Sequence, residues 1–370
     1  MQVLVEMLIY FIILALTVTI SCYFLGIKEA THKYKTLDGL RGLAAALVAI
    51  FHIYWRAGDA SDRYWSLNYL DNSTLKRAIM LVGEIPVSVF FMLSGFLFFT
   101  KILSSNNFNT KDFFISRVIR IYPPVLASML VIYLVTAFIN GGQHLTSPLW
   151  FLHALPFISE YKGTMVNNFP INITNSGVFW TLVWENRLYL SIPIIALIIN
   201  RTTYKKTILI ITMLTVITID KAHLVDKAHA GYIMFFLVGF LVASLNEKQL
   251  KYQNIITALL MVSAIFFTRY AYSTTTALYL LPVFYLIRNG SDLFGILTSR
   301  PFRLLGTCSF SIYLLHGITQ TFSKHFLFNQ GNYLWQVCSL VAVGVLAPIM
   351  YKLIESKCFY RPSIPSTVTS

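Results

Sequence analysis

Apolar runs close to twenty residues long recur along almost the whole chain, and they fix its class before any single residue is weighed. A helix rises 1.5 Å per residue, so a run of ~20 apolar residues matches one crossing of a bilayer core about 30 Å thick. Only 12% of the 370 residues are charged and 56% are hydrophobic, whereas a soluble domain carries roughly 25% charged residues. That supply of charge cannot coat a soluble surface of this size. The chain therefore reads as an all-α, polytopic membrane helix bundle, and an ordinary soluble enzyme is excluded.

Runs bounded by polar, Gly, Pro or Asn segments predict eleven helices, near 7–26, 40–56, 79–100, 121–140, 179–199, 207–220, 230–246, 252–270, 273–288, 304–322 and 333–354. The stretch 141–178, with Gly141, Gly142, Pro148, Pro156, Pro170 and several Asn, reads as a long loop with a short interfacial helix near 150–158. The first run competes with a cleaved signal peptide. No Lys or Arg precedes it and Lys28, Lys33 and Lys35 follow it, which predicts a retained helix with its N-terminus outside. Three parts follow: an N-terminal helix and basic linker (1–35), a membrane domain (36–358) and a cytoplasmic tail (359–370).

The net charge of +14 raises nucleic acid as a partner, but the basic residues sit in short pieces between apolar runs. They read as topology signals, and no nucleic-acid partner is expected. Of the 29 Lys and Arg, alternate loops and the tail hold 19 on one side and 9 on the other, and Arg187 lies within a span. The positive-inside rule places the richer side and the tail in the cytoplasm. Cys22, Cys308, Cys338 and Cys358 lack C-x-x-C spacing, so neither a disulfide framework nor a metal site is expected.

Ionisable groups inside spans cost several kcal/mol unless paired or hydrated, which makes them the first functional candidates. His52 and His316 lie about twelve residues from the cytoplasmic starts of outward-running spans, roughly 18 Å up. Glu84 and Glu185 lie five or six residues into inward-running spans, so all four are predicted to share one layer. A carboxylate beside a histidine orients the imidazole and stabilises its protonated form, which suits a general base. The alternative is that these groups only tie helices together. On the cytoplasmic side, Arg117 and Arg120 share one helical face and suit a phosphate or pyrophosphate. Alternatively, they mark the membrane edge. Ser94 and Gly95 supply small residues where a backbone or an extended ligand approaches closely.

The segment Leu37-Asp38-Gly39-Leu40-Arg41-Gly42-Leu43-Ala44-Ala45, followed by Phe51-His52, resembles the opening signature of the membrane acyltransferase-3 family of O-acyltransferases. Later segments agree in order. Phe90-Phe91-Met92-Leu93-Ser94-Gly95-Phe96-Leu97 resembles the family's third-span element, and Arg117 with Arg120 resembles its R-x-x-R pair. Trp180-Thr181-Leu182-Val183-Trp184-Glu185 with Leu188-Tyr189-Leu190 is similar to its W-S/T-L-x-x-E segment. Leu305-Gly306 with Ser309-Phe310-Ser311-Ile312-Tyr313-Leu314-Leu315-His316 resembles its late Gly-Ser-Tyr-His stretch, and Ile354-Glu355-Ser356 its terminal acidic motif.

The resemblance implies a ten-helix acyltransferase core plus one added N-terminal helix. It also implies an acyl-CoA donor, usually acetyl-CoA, entering from the cytoplasm, and an acceptor hydroxyl on a glycan or glycolipid across the cell membrane. Carried over by motif, His52 is the catalytic histidine; acting as a general base, it is expected to be oriented by Glu185 or His316. Arg117, Arg120 and Arg41 then handle the donor, beside Ser94 and Gly95. A homodimer is left open. Two departures stand out. Many relatives carry an acid where this chain has Ser88, and Arg187 falls two residues after Glu185, too far around the helix to pair with it. No hydrolase-like domain is expected after the last span, so a step assigned to such a domain in longer relatives falls to another protein. Trp150, Trp180, His144, His153 and nearby Asn offer sugar contacts, or else anchor the chain at the membrane surface. The rival from another class is a transporter or flippase of an anionic or sugar-linked lipid, whose buried groups would bind cargo.

Overall fold

The computed structural model describes residues 2–30, 33–57, 67, 70, 72–104, 108–147, 149–150, 164–327 and 332–358. Thirteen helices are described: α1 (Gln2–Leu25), α2 (Lys35–Ala57), α3 (Ser73–Leu103), α4 (Thr110–Ile139), α5 (Ile171–Thr174), α6 (Phe179–Asn200), α7 (Lys205–Lys221), α8 (Lys227–Ser244), α9 (Gln253–Phe267), α10 (Thr274–Arg288), α11 (Arg300–Thr307), α12 (Ser309–Leu327) and α13 (Asn332–Leu353). One hairpin, β1 (Met165–Val166) with β2 (Phe169–Pro170), and a terminal 3-10 turn at Glu355–Lys357 complete the described elements. The protein is an all-α helix bundle.

Each of the eleven predicted runs recurs as a helix, with instructive differences at the ends. α3 and α4 begin well before their apolar runs because Asn72 and Asn109 cap them, each accepting a backbone N–H three residues on. Their first turns carry Lys76, Arg77, Lys111 and Asp112, which hydropathy passes over. The tenth run splits at Cys308 into α11 and α12, a short amphipathic helix and a polar one. Among the described residues, seven helices are long and apolar enough to cross a membrane. Of the four predicted runs not among them, three are α7, α9 and α10, with 17, 15 and 15 residues, and the fourth contains α12, which is polar because the bundle buries it: Ser309, Ser311, His316, Gln320 and Thr321 are all enclosed. The outer faces of α1, α4, α6 and α9 instead display Leu8, Leu134, Leu197 and Phe266, apolar surface suited to lipid tails. This is a multi-pass membrane protein.

At the centre, α3 lies along α8. The two backbones meet where Gly95 faces Phe236 and Gly239 faces Met92; a Cβ at either glycine would fall 2.4 Å or 2.2 Å from a carbonyl oxygen. α1 packs on α13 and α11 at one edge of the bundle.

The segment expected to be a long outer loop is only partly that. The interfacial helix predicted near 150–158 falls almost wholly outside the described residues. Beyond it, Asn167 and Asn168 take positive φ in the two-residue turn of the hairpin. The buried Asn167 amide ties this hairpin to Thr146, Tyr133 and Thr136. The chain then dips inward: Ile171, Thr174, Asn175 and Ser176 are all buried, and a Cβ at Gly317 of α12 would strike the backbone of Asn175. α6 therefore starts inside the bundle rather than at its outer surface.

Candidate active site

A cavity of about 580 Å³ lies among α2, α3, α4, α6 and α12. Its charged end is built by Lys33, Arg41, Lys101, Arg117 and Arg120, with Asp38 as the local acid. Arg117 is held by its guanidinium against Phe98, 5.2 Å from the ring centroid, an arrangement that keeps a cation in place while leaving its edge for an anion. Glu355, buried and accepting a 2.8 Å hydrogen bond from Ser311, sits within the fields of Arg41 and Arg120.

Eleven residues up α3 from Lys101, about 16 Å, Phe90 and Phe91 form an aromatic end, joined by Thr181 of α6 and Tyr313 of α12. The Tyr313 hydroxyl bonds to Thr181 Oγ1 at 2.8 Å and to the Val178 carbonyl at 3.1 Å. Its ring stands 6.0 Å from Phe90 on one side and 6.0 Å from His316 on the other.

His316 lies beside Tyr313, and His52 beside His316. The rings of His52 and His316 are 5.1 Å apart, and both residues are buried. His52 also stacks on Trp55, 5.7 Å away and 14° from parallel. His316 Nδ1 is 3.2 Å from the Ile312 carbonyl. A carbonyl only accepts, so Nδ1 carries a hydrogen in this contact. The histidines are not part of the cavity lining, whereas Tyr313, whose ring neighbours that of His316, is.

Arg41, Ser94, Arg117, Arg120 and Glu185 all line the cavity. Gly95 does not, and its expected place in the donor groove is corrected: it lies one residue around α3, where it admits α8. The shared layer of four ionisable groups is also corrected. Glu185 Oε1 accepts from Ser94 at 2.8 Å and Oε2 from Tyr189 at 3.0 Å. Ser94 is ten residues below Glu84 on α3, so Glu185 lies about 15 Å deeper than Glu84. The reason is the inward start of α6, which carries every residue on it toward the charged end of the cavity. Glu84 keeps the histidines' level, because Gly83 packs against Phe51, the neighbour of His52. Arg187 lies over the Trp184 ring at 4.4 Å.

Sequence reasoning passed over Tyr313, Tyr189, Lys33 and Lys101. Tyr313 was the one within reach, since it precedes His316 by three residues and so shares its helical face.

The acyltransferase-3 family, described as an acyltransferase domain, matches residues 34–352. A protein named as an acetyltransferase, ORF330 of Acidianus two-tailed virus, is 32% identical over 156 residues, 42% of this chain and 39% of its own length. Nodulation protein 10 of Rhizobium leguminosarum bv. viciae is 27% identical over 174 residues, 43% of each chain. The matches thus span about two fifths of the length of these relatives. No solved structure matches the chain significantly. With its opening signature on α2, its arginine pair on α4 and its late histidine stretch on α12 set around one cavity, this chain belongs to the acyltransferase-3 family.

Proposed function

We propose that the protein is an O-acyltransferase that moves an acyl group, acetyl in the simplest case, from cytoplasmic acyl-CoA to a hydroxyl of an extracytoplasmic glycan or glycolipid. One observation supports this reading: a cavity of about 580 Å³ carries five cations and, on α12, Tyr313, whose ring neighbours the paired His316 and His52. A volume of about 580 Å³ falls in the range of small-molecule sites. The basic end suits donor phosphates, and the apolar middle suits a pantetheine arm.

In this reading the N-terminus faces outside the cell membrane and the tail lies in the cytoplasm. The donor phosphates sit at Arg117, Arg120 and Arg41, and the arm passes Ser94 toward Tyr313. Displacement of the Tyr313 ring brings the thioester to His52. His52 takes the acceptor hydroxyl proton as the oxygen attacks the thioester carbonyl. The C–O bond forms, the C–S bond breaks, and the proton passes to the departing thiolate. Transient acylation of His52 is a second route with the same balance. His316, beside His52, positions the ring. Glu185, engaged by Ser94 and Tyr189, shapes the donor cavity instead.

The test uses acetyl-CoA labelled in its acetyl group, added to membranes containing the chain. Label entering lipid-linked or polymeric glycan supports the reading, while cargo movement without any consumption of acetyl-CoA overturns it in favour of transport. Replacing Arg117 and Arg120 together by glutamine should raise KM for acetyl-CoA about 10- to 100-fold, from the loss of two charge-assisted contacts, and change kcat much less. An equal fall in kcat at constant KM would argue against a donor-binding role.

A further inference from the structure

A second cavity, of about 290 Å³, adjoins the first and shares Lys33 and Tyr34 with it. Its walls come from three loops that the charge distribution assigns to the cytoplasmic side: the linker before α2, the segment after α8 and the turn after α10. Most of its chemistry is cationic or amide, from Lys33, Lys35, Arg288, Asn289 and Gln249.

Three donors converge here on a single atom. Glu247 Oε1 accepts from Lys33 Nζ at 3.0 Å and from Tyr34 OH at 3.0 Å, and lies 3.5 Å from Arg288 Nη2. The donors are pre-assembled. Arg288 is 7% exposed; its Nη1 is bonded to Asn289 at 2.8 Å, and its guanidinium lies 5.7 Å from the Tyr34 ring and 5.8 Å from Phe96. The acceptor is not. Glu247 belongs to a surface segment and has a side chain 52% exposed. Two further donors, Arg288 Nε and Asn289 Nδ2, are buried without a hydrogen-bond partner among the described residues. A buried guanidinium and amide with unused donors are costly unless an acceptor reaches them. One exposed carboxylate oxygen does not use this donor set fully, whereas a phosphate, with several acceptor oxygens and up to two charges, would.

We infer that this second cavity binds the phosphorylated nucleotide end of the acyl-CoA donor, and that the Glu247 carboxylate is a stand-in anion which the phosphate displaces. This rests on the donor reading above. Tyr34, between the two cavities, offers a ring face for the base. The donor then lies across both cavities, with its nucleotide held at Lys33 and Arg288 and its arm directed past Arg41 toward Tyr313.

The experiment measures binding of adenosine 3′,5′-bisphosphate to the purified full-length chain in nanodiscs of phosphatidylcholine alone, in parallel with transfer from acetyl-CoA and from acetyl-pantetheine, which lacks the nucleotide. The wild type should bind the bisphosphate, Arg288→Gln should weaken it about tenfold or more, and Glu247→Gln should tighten it. KM for acetyl-CoA should follow the same order, with KM for acetyl-pantetheine unchanged. Lys33→Gln, at an exposed position, repeats the test if Arg288→Gln fails to fold. No binding by the wild type, or equal shifts for both thioesters, overturns the site. Binding that occurs while neither thioester donates supports the nucleotide site and overturns the transfer reading. Copurified anionic lipid lost in Arg288→Gln, with no bisphosphate binding, assigns the donors to a headgroup and overturns the proposal.

Discussion

Replacing His52 by alanine is expected to lower acyl transfer by at least 10²- to 10⁴-fold, the range a positioned general base supplies, with binding of the donor nearly intact. The separation follows from the geometry, since His52 is not among the residues that line the cavity proposed for the donor. Activity on labelled acetyl-CoA and binding of acetyl-CoA should therefore diverge in this variant. His52 is buried and stacked on Trp55, so His52→Gln, which preserves volume, serves as the companion and should be equally inactive. His316→Ala should lose less, because a positioning residue leaves the reacting nitrogen in place. Wild-type rates in a folded His52→Ala would remove both the general-base and the acyl-histidine routes.

The second large effect is expected at Gly239 and Gly95, on stability. A methyl at Gly239 would sit 2.2 Å from the Met92 carbonyl oxygen, and one at Gly95 2.4 Å from that of Phe236. Both obstacles are backbone, so no rotamer change relieves them, and α3 and α8 must move apart. Overpacking in a tight core costs about 1–3 kcal/mol, occasionally more; here it also loosens the helix that carries Ser94. Gly239→Ala should lower the melting temperature of the detergent-solubilised protein by several degrees, and Gly239→Leu should abolish folded yield. The two alanine variants together should cost less than their sum, because the first already separates the helices. An unchanged melting temperature for Gly239→Ala would mean that α3 and α8 do not meet in this way.

The parts of this molecule that were legible in the sequence are those that depend on local physics. Apolar runs became helices because a bilayer leaves backbone groups no partner but their own helix. Arg117 and Arg120 reached one cavity because three residues return to the same helical face. What failed depended on where a helix begins in space. Glu185 was placed too high because α6 starts within the bundle, and no hydropathy window registers a segment like Asn175–Val178 folding inward. Ser94 and Gly95 looked like one feature, yet one residue of rotation sends the first to the cavity and the second to α8. The small-residue spacing of Gly239 and Ala243 carried a signal for that contact. The cavity at Arg288 was not legible at all, since its walls come from residues more than two hundred positions apart.

The position of Tyr313 bears on the insulation of the membrane. A water-filled groove that enters from one face and reaches a reactive centre thins the dielectric barrier locally, and protons crossing it would dissipate the gradient that the membrane stores. On the proposed reading, the phenol, anchored to Thr181 and Val178, would close that path at the aromatic end of the cavity. On the proposed reading, a ring displaced by the donor arm gives up both hydrogen bonds and is held aside while the arm fills the opening. Electrical tightness and delivery of the acyl group would then depend on the same side chain.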